Sequence, residues 1–534
     1  MNGATTAAGP ASTTARTAPS AVPFSVAFTG TRAGRAPLTW GQRAIWHAIG
    51  RTAPNDHYFN LGRILPLADR GAPVDEPRLA AAVAALLDRH EALRTRLALG
   101  EDGDPGQLLC AEGEIAVEVR EEADPARTGP AAEQLLAKLT GRRFDYTGEW
   151  PVRFGAVRCG GRITHVVFAL CHLAADGHGA EVLVRDLRLL VRRGSAGRPA
   201  AVTPYDLAHA QAGPAGRRRG AAALARWEAD LRRMPPTMFA EPVAEPRAPR
   251  FWTGRLVSAA LPRAVDALAA VHQVSGSTVL LAAAAALVAA DRGHPSAAVM
   301  PIAGNRAAAD HRDLVSTLSQ DALVVLDLPE DLDGGAVFTD LLPAAWRAAL
   351  AGYRAAAYDP VEWDALLARI ARERGTEVHP YCCFNDMRLV ERPLSAAESP
   401  TAEELAGLRR RTVLDFPATQ ELVACRYCLH LTGDDSALTV TLTADTAHLP
   451  PAAIHAHLRA IEEVLVASAA GDPPRLAALP GLLDRFTDRV STDRVSIAEH
   501  GSATEHASAA DRESAADRES AADRESAEHR DPAS

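Results

Sequence analysis

The chain has 534 residues, 47% of them hydrophobic and 23% charged, with a formal net charge of −10. That length predicts more than one folded unit, and the composition is that of a globular protein. No basic stripe interleaved with aromatic residues is present, which argues against nucleic acid as a partner.

Residues 1–30 are rich in Ala, Thr, Ser and Pro, bury too little apolar surface to order themselves, and read as a disordered leader without a signal-peptide pattern. Asp75 followed by Pro77 predicts a helix start, with Leu79, Val83, Leu86 and Leu87 as its buried stripe. Ile163 to Leu170 (ITHVVFAL) predicts a central strand covered on both faces. A helix follows from Gly177, with Leu183, Leu187, Leu190 and Val191 at helical spacing, and stops at Gly194.

Periodicity then weakens. Residues 206–250, with Arg217, Arg218, Arg219 and repeated prolines, read as a crossover linker holding one helix at about Ala221 to Arg233. A second lobe over 251–475 mixes predicted strands (Val257 to Leu261, Ala322 to Leu328, Ala437 to Ala444) with a helix at Thr278 to Ala290. The longest apolar run, Val279 to Ala290, is too short to span a bilayer, so no membrane partner and a cytoplasmic location are expected. Residues 476–534 read as a tail disordered from about Asp484, ending in the SAADRE hexads Ser508–Glu513, Ser514–Glu519 and Ser520–Glu525. Two α/β lobes (31–205 and 251–475) with a site between them are the expected architecture.

Cys171-His172-Leu173-Ala174-Ala175-Asp176-Gly177 stands where the buried strand meets a turn. A histidine there is held by the sheet yet open to a ligand, and its ordinary pKa suits proton transfer near neutrality. Asp176 can lock the loop by pairing with an arginine, and Gly177 lets the turn close. Alone, HxxxDG is a weak pattern.

The motif resembles the HHxxxDG signature of nonribosomal peptide synthetase condensation domains, members of the chloramphenicol-acetyltransferase-like superfamily. Other stretches resemble that family in order: Leu38-Thr39-Trp40-Gly41-Gln42, Arg89-His90-Glu91-Ala92-Leu93-Arg94-Thr95, Tyr205-Asp206-Leu207-Ala208, Gly304-Asn305-Arg306 with Leu314-Val315-Ser316-Thr317-Leu318, and Cys383-Phe384-Asn385. The resemblance runs from about residue 36 to 470. It implies an α/β fold of two lobes forming a V-shaped pseudo-dimer, with the active site in a tunnel between them. His172 is then the catalytic residue, Asn385 a second one near the reacting centre, and Asp176, Gly177, Cys171 and an arginine hold the loop. The resemblance puts Arg94 first as the partner of Asp176 and Arg89 second.

The implied activity is a stand-alone acyltransferase that joins an acyl, aminoacyl or peptidyl thioester to an amine or alcohol. Neither an adenylation motif nor a carrier-type serine signature is found, so the donor is expected on the phosphopantetheine of a separate acyl or peptidyl carrier protein, or as acyl-CoA. A small amine or alcohol is the expected acceptor. No organic cofactor and no metal are called for. The competing expectation is a non-catalytic module that recruits a carrier-bound peptide and an accessory enzyme.

The first histidine of the signature is Cys171 here. Alternation along a strand turns it away from the face of His172, so packing is its expected role and an acyl-accepting nucleophile the minor one. The seven cysteines have no disulfide pattern. Cys425-Arg426-Tyr427-Cys428 has CxxC spacing, but it falls in a strand-like run and the other pair, Cys382 and Cys383, is adjacent, so zinc is disfavoured. His178 is expected in solvent.

Overall fold

The computed structural model describes residues 22–492, apart from 68–72, 101–102, 330–334, 389–399 and 424. The expected leader therefore falls mostly, and the SAADRE hexads wholly, outside the described residues. The first lobe opens with β1 (Phe24–Thr29), β2 (Gly34–Pro37), α1 (Trp40–Thr52), β3 (Leu61–Pro66) and α2 (Glu76–Arg89). It continues with β4 (Thr95–Leu99), β5 (Pro105–Leu109), β6 (Glu112–Glu121) and α3 (Thr128–Thr140), then β7 (Val152–Cys159), β8 (Arg162–Leu170) and α4 (Gly177–Arg193). Five strands form a mixed sheet in the order β1-β6-β7-β8-β3, and β2-β5-β4 form a small second sheet. In the main sheet β8 lies between β7 and β3, and the sheet is covered on both faces. Leu79, Val83 and Leu86 of α2 and Leu183 and Leu187 of α4 share a core with Phe154 and Phe168. Leu135, Leu136 and Leu139 of α3 pack against Val157, Val167 and Ala169 on the other face. This is why ITHVVFAL is nearly uninterrupted in apolar character.

The helix ends follow side-chain chemistry. Asp75 caps α2 by accepting from Arg78 N at 3.0 Å. α4 stops at Gly194, which takes φ 70°, a left-handed conformation that glycine reaches without steric cost. Between α2 and β4 the RHExLRT segment forms a polar network inside the lobe. Asp186 of α4 accepts from Arg89 Nε at 2.6 Å and contacts His90 Nε2 at 3.0 Å. Burial pushes the Asp186 carboxyl up, but hydrogen bonds from His90, Arg185 and Arg89 outweigh it and hold it at about 2.

Residues 206–250 are not an open linker with one helix. α5 (Pro204–Ala212) and α6 (Pro214–Arg233) occupy most of them. Each begins with proline in its first turn, a position that needs no N–H donor. Proline there and the arginine run mimic linker chemistry in the sequence. Thr203 and Asp206 make a capping box for α5, and Asp206 binds Arg32 at 2.7 Å. Trp227 and Leu231 of α6 are buried in the second lobe, with Trp227 against Trp363 at 4.6 Å.

The second lobe contains β9 (Phe251–Ser258), α7 (Ala260–His272), α8 (Gly276–Arg292), β10 (Ser296–Ala303), β11 (Gln320–Asp321) and β12 (Val324–Asp327). Next come α9 (Leu342–Arg354), α10 (Pro360–Arg374), β13 (Cys382–Asp386), α11 (Ala402–Arg409) and β14 (Val413–Gln420). The lobe closes with β15 (Tyr427–Gly433), β16 (Leu438–Asp445), α12 (Pro451–Ala469) and α13 (Leu479–Thr492). The strand expected at Val257 to Leu261 ends at Ser258, whose side chain accepts from Ala260 N and Leu261 N and turns the chain into α7. The sheet runs β11-β10-β13-β15-β16-β9-β14, with β12 beside β10. One face packs on α7, α8 and α12 through Leu256, Phe384, Leu429, Leu431, Val440 and Leu442. The other carries polar side chains in register: Cys383, Cys428, Thr443 and Thr253 in one row, Asn385, His430, Thr441 and Arg255 in the next. Among the described residues no single helix is long and apolar enough to cross a membrane.

The tail boundary at 476 also needs correction. Residues 476–478 form a 3₁₀ turn and α13 runs on to Thr492, with Leu476, Leu479, Leu482 and Leu483 buried in the second core. Pro480 and Gly481 disguise the helix in the sequence, but proline is tolerated in a first turn.

Truncation of Leu482 to alanine is expected to destabilise the protein by about 2–5 kcal/mol, measured by chemical unfolding; a loss under 0.5 kcal/mol would place α13 outside the cooperative core. Asp186 should contribute stability fully above the ordinary carboxylate pKa of 3.8 and lose it as pH falls towards 2. The acid-unfolding difference between wild type and Asp186→Asn should therefore narrow across that window.

Candidate active site

β8 ends at Leu170, and the next residues form the turn that carries His172. Cys171 points back into a small core with Leu38, Ile49, Leu97, Phe144 and Leu173. Burial pushes its thiol up to about 12, a packed and protonated state unsuited to nucleophilic attack. His172, one residue on, is only partly buried and faces the seam between the lobes. Phe59 meets its ring edge-to-face at 6.4 Å.

The second lobe holds His172 through Thr317. Thr317 Oγ1 donates to the backbone carbonyl of His172 and lies 3.4 Å from Nδ1. With its carbonyl bond made, Oγ1 is an acceptor for Nδ1–H, which leaves the imidazole lone pair on Nε2. Burial lowers the pKa of His172, and the opposing pull of its own carbonyl and of the Asp176 charge does not restore it. A neutral imidazole with a free Nε2 lone pair is a proton acceptor.

Asp176 does not touch His172's ring. It caps α4 by accepting from Gly179 N at 2.8 Å. Its other partners come from the second lobe: Arg306 Nη2 at 2.7 Å, Leu318 N at 3.0 Å and Ser319 N at 3.2 Å. Gly177 is the first residue of α4, directly after this cap. The arginine expected opposite Asp176 is thus Arg306, and both earlier candidates are corrected. Arg94 donates to the carbonyls of Arg32 and Cys110 and pairs with Glu91, while Arg89 serves Asp186. Arg89 ends α2 and Arg94 lies in the turn between α2 and β4, each with its own partners. Arg306 was readable as part of a motif, yet nothing in its spacing says that it crosses to the other lobe.

Further contacts fix the seam. Gln42 closes a capping box with Thr39 and donates to Leu173 O at 3.2 Å, so the start of α1 holds the His172 loop. A Cβ on Gly41 would stand 2.3 Å from Thr317 O; only glycine lets α1 approach the Thr317 segment this closely. His178, expected in solvent, is exposed but bonds Arg312 O at 2.9 Å across the seam. Asn385 lies on the polar face of the second sheet, on β13 beside His430. Burial lowers His430 to about 4.

A buried carboxylate is thus shared by the two lobes, and His172 sits at the seam between them. Residues 33–317 match the family described as the condensation domain, and the chain belongs to that family. A probable non-canonical nonribosomal peptide synthetase, CymA of Salinispora arenicola, is 30% identical over 71% of this chain, although the chain spans only 5% of that much longer protein. Two solved structures share the fold. The condensation domain that mediates chain release from the enacyloxin polyketide synthase has a TM-score of 0.60 and 19% identity over 86% of this chain and 84% of that one. The X-domain from teicoplanin biosynthesis has a TM-score of 0.59 and 19% identity over 84% of this chain and 98% of its own.

Arg306→Ala leaves Asp176 charged and buried without its cation, so a loss of about 3–5 kcal/mol is expected. The double variant Arg306→Ala with Asp176→Asn should recover part of it, because the orphaned charge is gone. Arg94→Ala should show no such coupling to Asp176→Asn; thermodynamic coupling there would restore Arg94 as the partner.

Proposed function

We propose that this chain is an acyl-transfer enzyme in which His172 Nε2 is the general base, joining a thioester-bound acyl donor to an amine or alcohol. The observation that carries the reading is the half-buried imidazole of His172, held at the seam by Thr317 of the other lobe, where burial lowers its pKa and favours the neutral form. Nε2 takes the proton as the acceptor's nitrogen or oxygen bonds to the thioester carbonyl carbon. The tetrahedral intermediate then collapses, the C–S bond breaks, and the imidazolium returns its proton to the departing thiolate. No organic cofactor enters these steps.

Asp176 acts as a positioning residue, because all its bonds serve the seam and none reaches the ring. Asn385 is proposed to orient the substrate from the opposite wall, on the ground of its place on the polar sheet face. The donor is proposed to arrive as a phosphopantetheinyl thioester on a carrier protein, with acyl-CoA as the smaller form of the same chemistry. Relationship to a nonribosomal peptide synthetase supports this choice.

The test gives the purified chain a panel of acyl thioesters, on carrier protein and on CoA, with pooled amines and alcohols, and reads products by mass spectrometry. His172→Ala, with circular dichroism confirming its fold, should lose about 10²–10⁴ in rate. Equal turnover by both proteins would remove His172 from the chemistry. Tight binding of an acylated carrier with no product from either would favour a recruitment module. Because burial lowers His172, the acidic limb of kcat/KM should fall below the ordinary histidine value of 6.5: activity is retained as pH drops through 6.5 and is lost only when His172 protonates. A limb at or above 6.5 would contradict the burial argument.

A further inference from the structure

Three thiols converge on the polar face of the second lobe's sheet. Cys383 on β13 is in register with Cys428 on β15, and Cys425 reaches back from the residues just before β15. The three Sγ atoms lie within 4.8 Å of one another, with Cys383 and Cys425 2.6 Å apart. Strand alternation selects the members. Cys382, adjacent to Cys383, points into the hydrophobic core with Phe384. The trio therefore takes one cysteine of the adjacent pair and both of the CxxC pair, a combination that neither spacing announces.

The trio is separate from His172, and Tyr58 and Phe59 of the first lobe link their surroundings. Tyr58 of the first lobe stands within electrostatic range of all three sulfurs. Its ring meets Phe59 at 5.5 Å, and Phe59 meets His172. Two aromatic rings thus separate the thiols from the proposed base. Cys383 and Cys425 are partly open and Cys428 is buried.

We propose that Cys383, Cys425 and Cys428 bind one thiophilic d¹⁰ cation of the zinc class through three thiolates, with the fourth coordination position open. Thiols are weak hydrogen-bonding groups, and three of them packed together contribute little to stability when neutral. Binding one divalent ion releases three protons as three S–metal bonds form. The geometry is close to that required. Tetrahedral Zn–S bonds of about 2.3 Å place sulfurs roughly 3.8 Å apart, inside the 4.8 Å span of the trio, and the Cys383–Cys425 pair would open from 2.6 Å. Soft thiolates favour zinc over the oxygen-loving cations. Bound there, the ion would tie β13 to the segment entering β15, and so stiffen the wall that carries Asn385.

The experiment uses the full chain, reduced and stripped with a chelator, and titrated with Co²⁺. One equivalent should bind with an intense thiolate-to-cobalt charge-transfer band, and Zn²⁺ should displace it. Zinc should also raise the Tm. Cys425→Ser, the partly exposed member, should weaken cobalt binding by at least the roughly 10–100-fold that losing an outer-shell partner costs. It should also abolish the zinc-dependent rise in Tm, whereas Cys159→Ser in the first lobe should leave both intact. Near-ultraviolet circular dichroism of Cys425→Ser reports whether the fold survives, and Cys383→Ser provides the second test from the other strand. Absence of the charge-transfer band in wild type, or an undiminished band in both variants, overturns the proposal. A Cys383–Cys425 disulfide that persists in reducing buffer and excludes cobalt also overturns it. These readouts do not depend on turnover, so the metal site can fail while the acyl-transfer reading stands, and the reverse.

Discussion

A carboxylate buried between two lobes is costly unless every lone pair is engaged, and Asp176 meets that condition with partners from both sides. Gly179 N comes from its own helix, while Arg306, Leu318 N and Ser319 N come from the other lobe. Desolvating a charge costs several kcal/mol, so this arrangement makes the relative position of the lobes nearly all-or-none. Neither lobe can shift by an ångström without orphaning an ion. The Thr317 hydroxyl, one residue before Leu318, inherits this rigidity and passes it to His172.

The same constraint explains the local sequence around it. Gly41 must lack a side chain because α1 rests on the backbone of Thr317. Gln42 divides its amide between the cap of α1 and the carbonyl of Leu173. Cys171 fills a small apolar space behind the loop, where a thiol stays protonated and a second imidazole would need a polar partner. The HxxxDG segment is thus packed as a unit, with Cys171 and Asp176 buried and His172 partly open at the seam.

The second lobe supplies a different kind of surface. Its sheet buries aliphatic residues under α7, α8 and α12 and carries Cys383, Asn385, Cys428, His430, Thr441 and Thr443 on the opposite face. Acyl transfer and a thiolate metal site would draw on different rows of that face, with Tyr58 and Phe59 standing between the thiols and the base.

Local patterns in the sequence were enough for the strand of Ile163 to Leu170, the helices after Asp75 and at Gly177, the turn carrying His172, and the two-lobed family, because each rests on residues close in the chain. The seam was not legible. Arg94, Arg89 and Arg306 are equally plausible partners for Asp176 on charge alone, and only the folded path brings Arg306, 130 residues away, to 2.7 Å. α5, the first turns of α6, and α13 were hidden because proline and glycine in a first turn look like linker chemistry until a neighbour buries the helix face, while the rest of α6 was expected as a helix at Ala221 to Arg233. The cysteine trio was hidden for the opposite reason: its members look like strand residues individually. What the sequence by itself determined was local conformation, the turn that carries His172 and the family. Which charge answers Asp176 and which sulfurs meet were decided by tertiary structure, since both depend on contacts between segments that no local pattern can register.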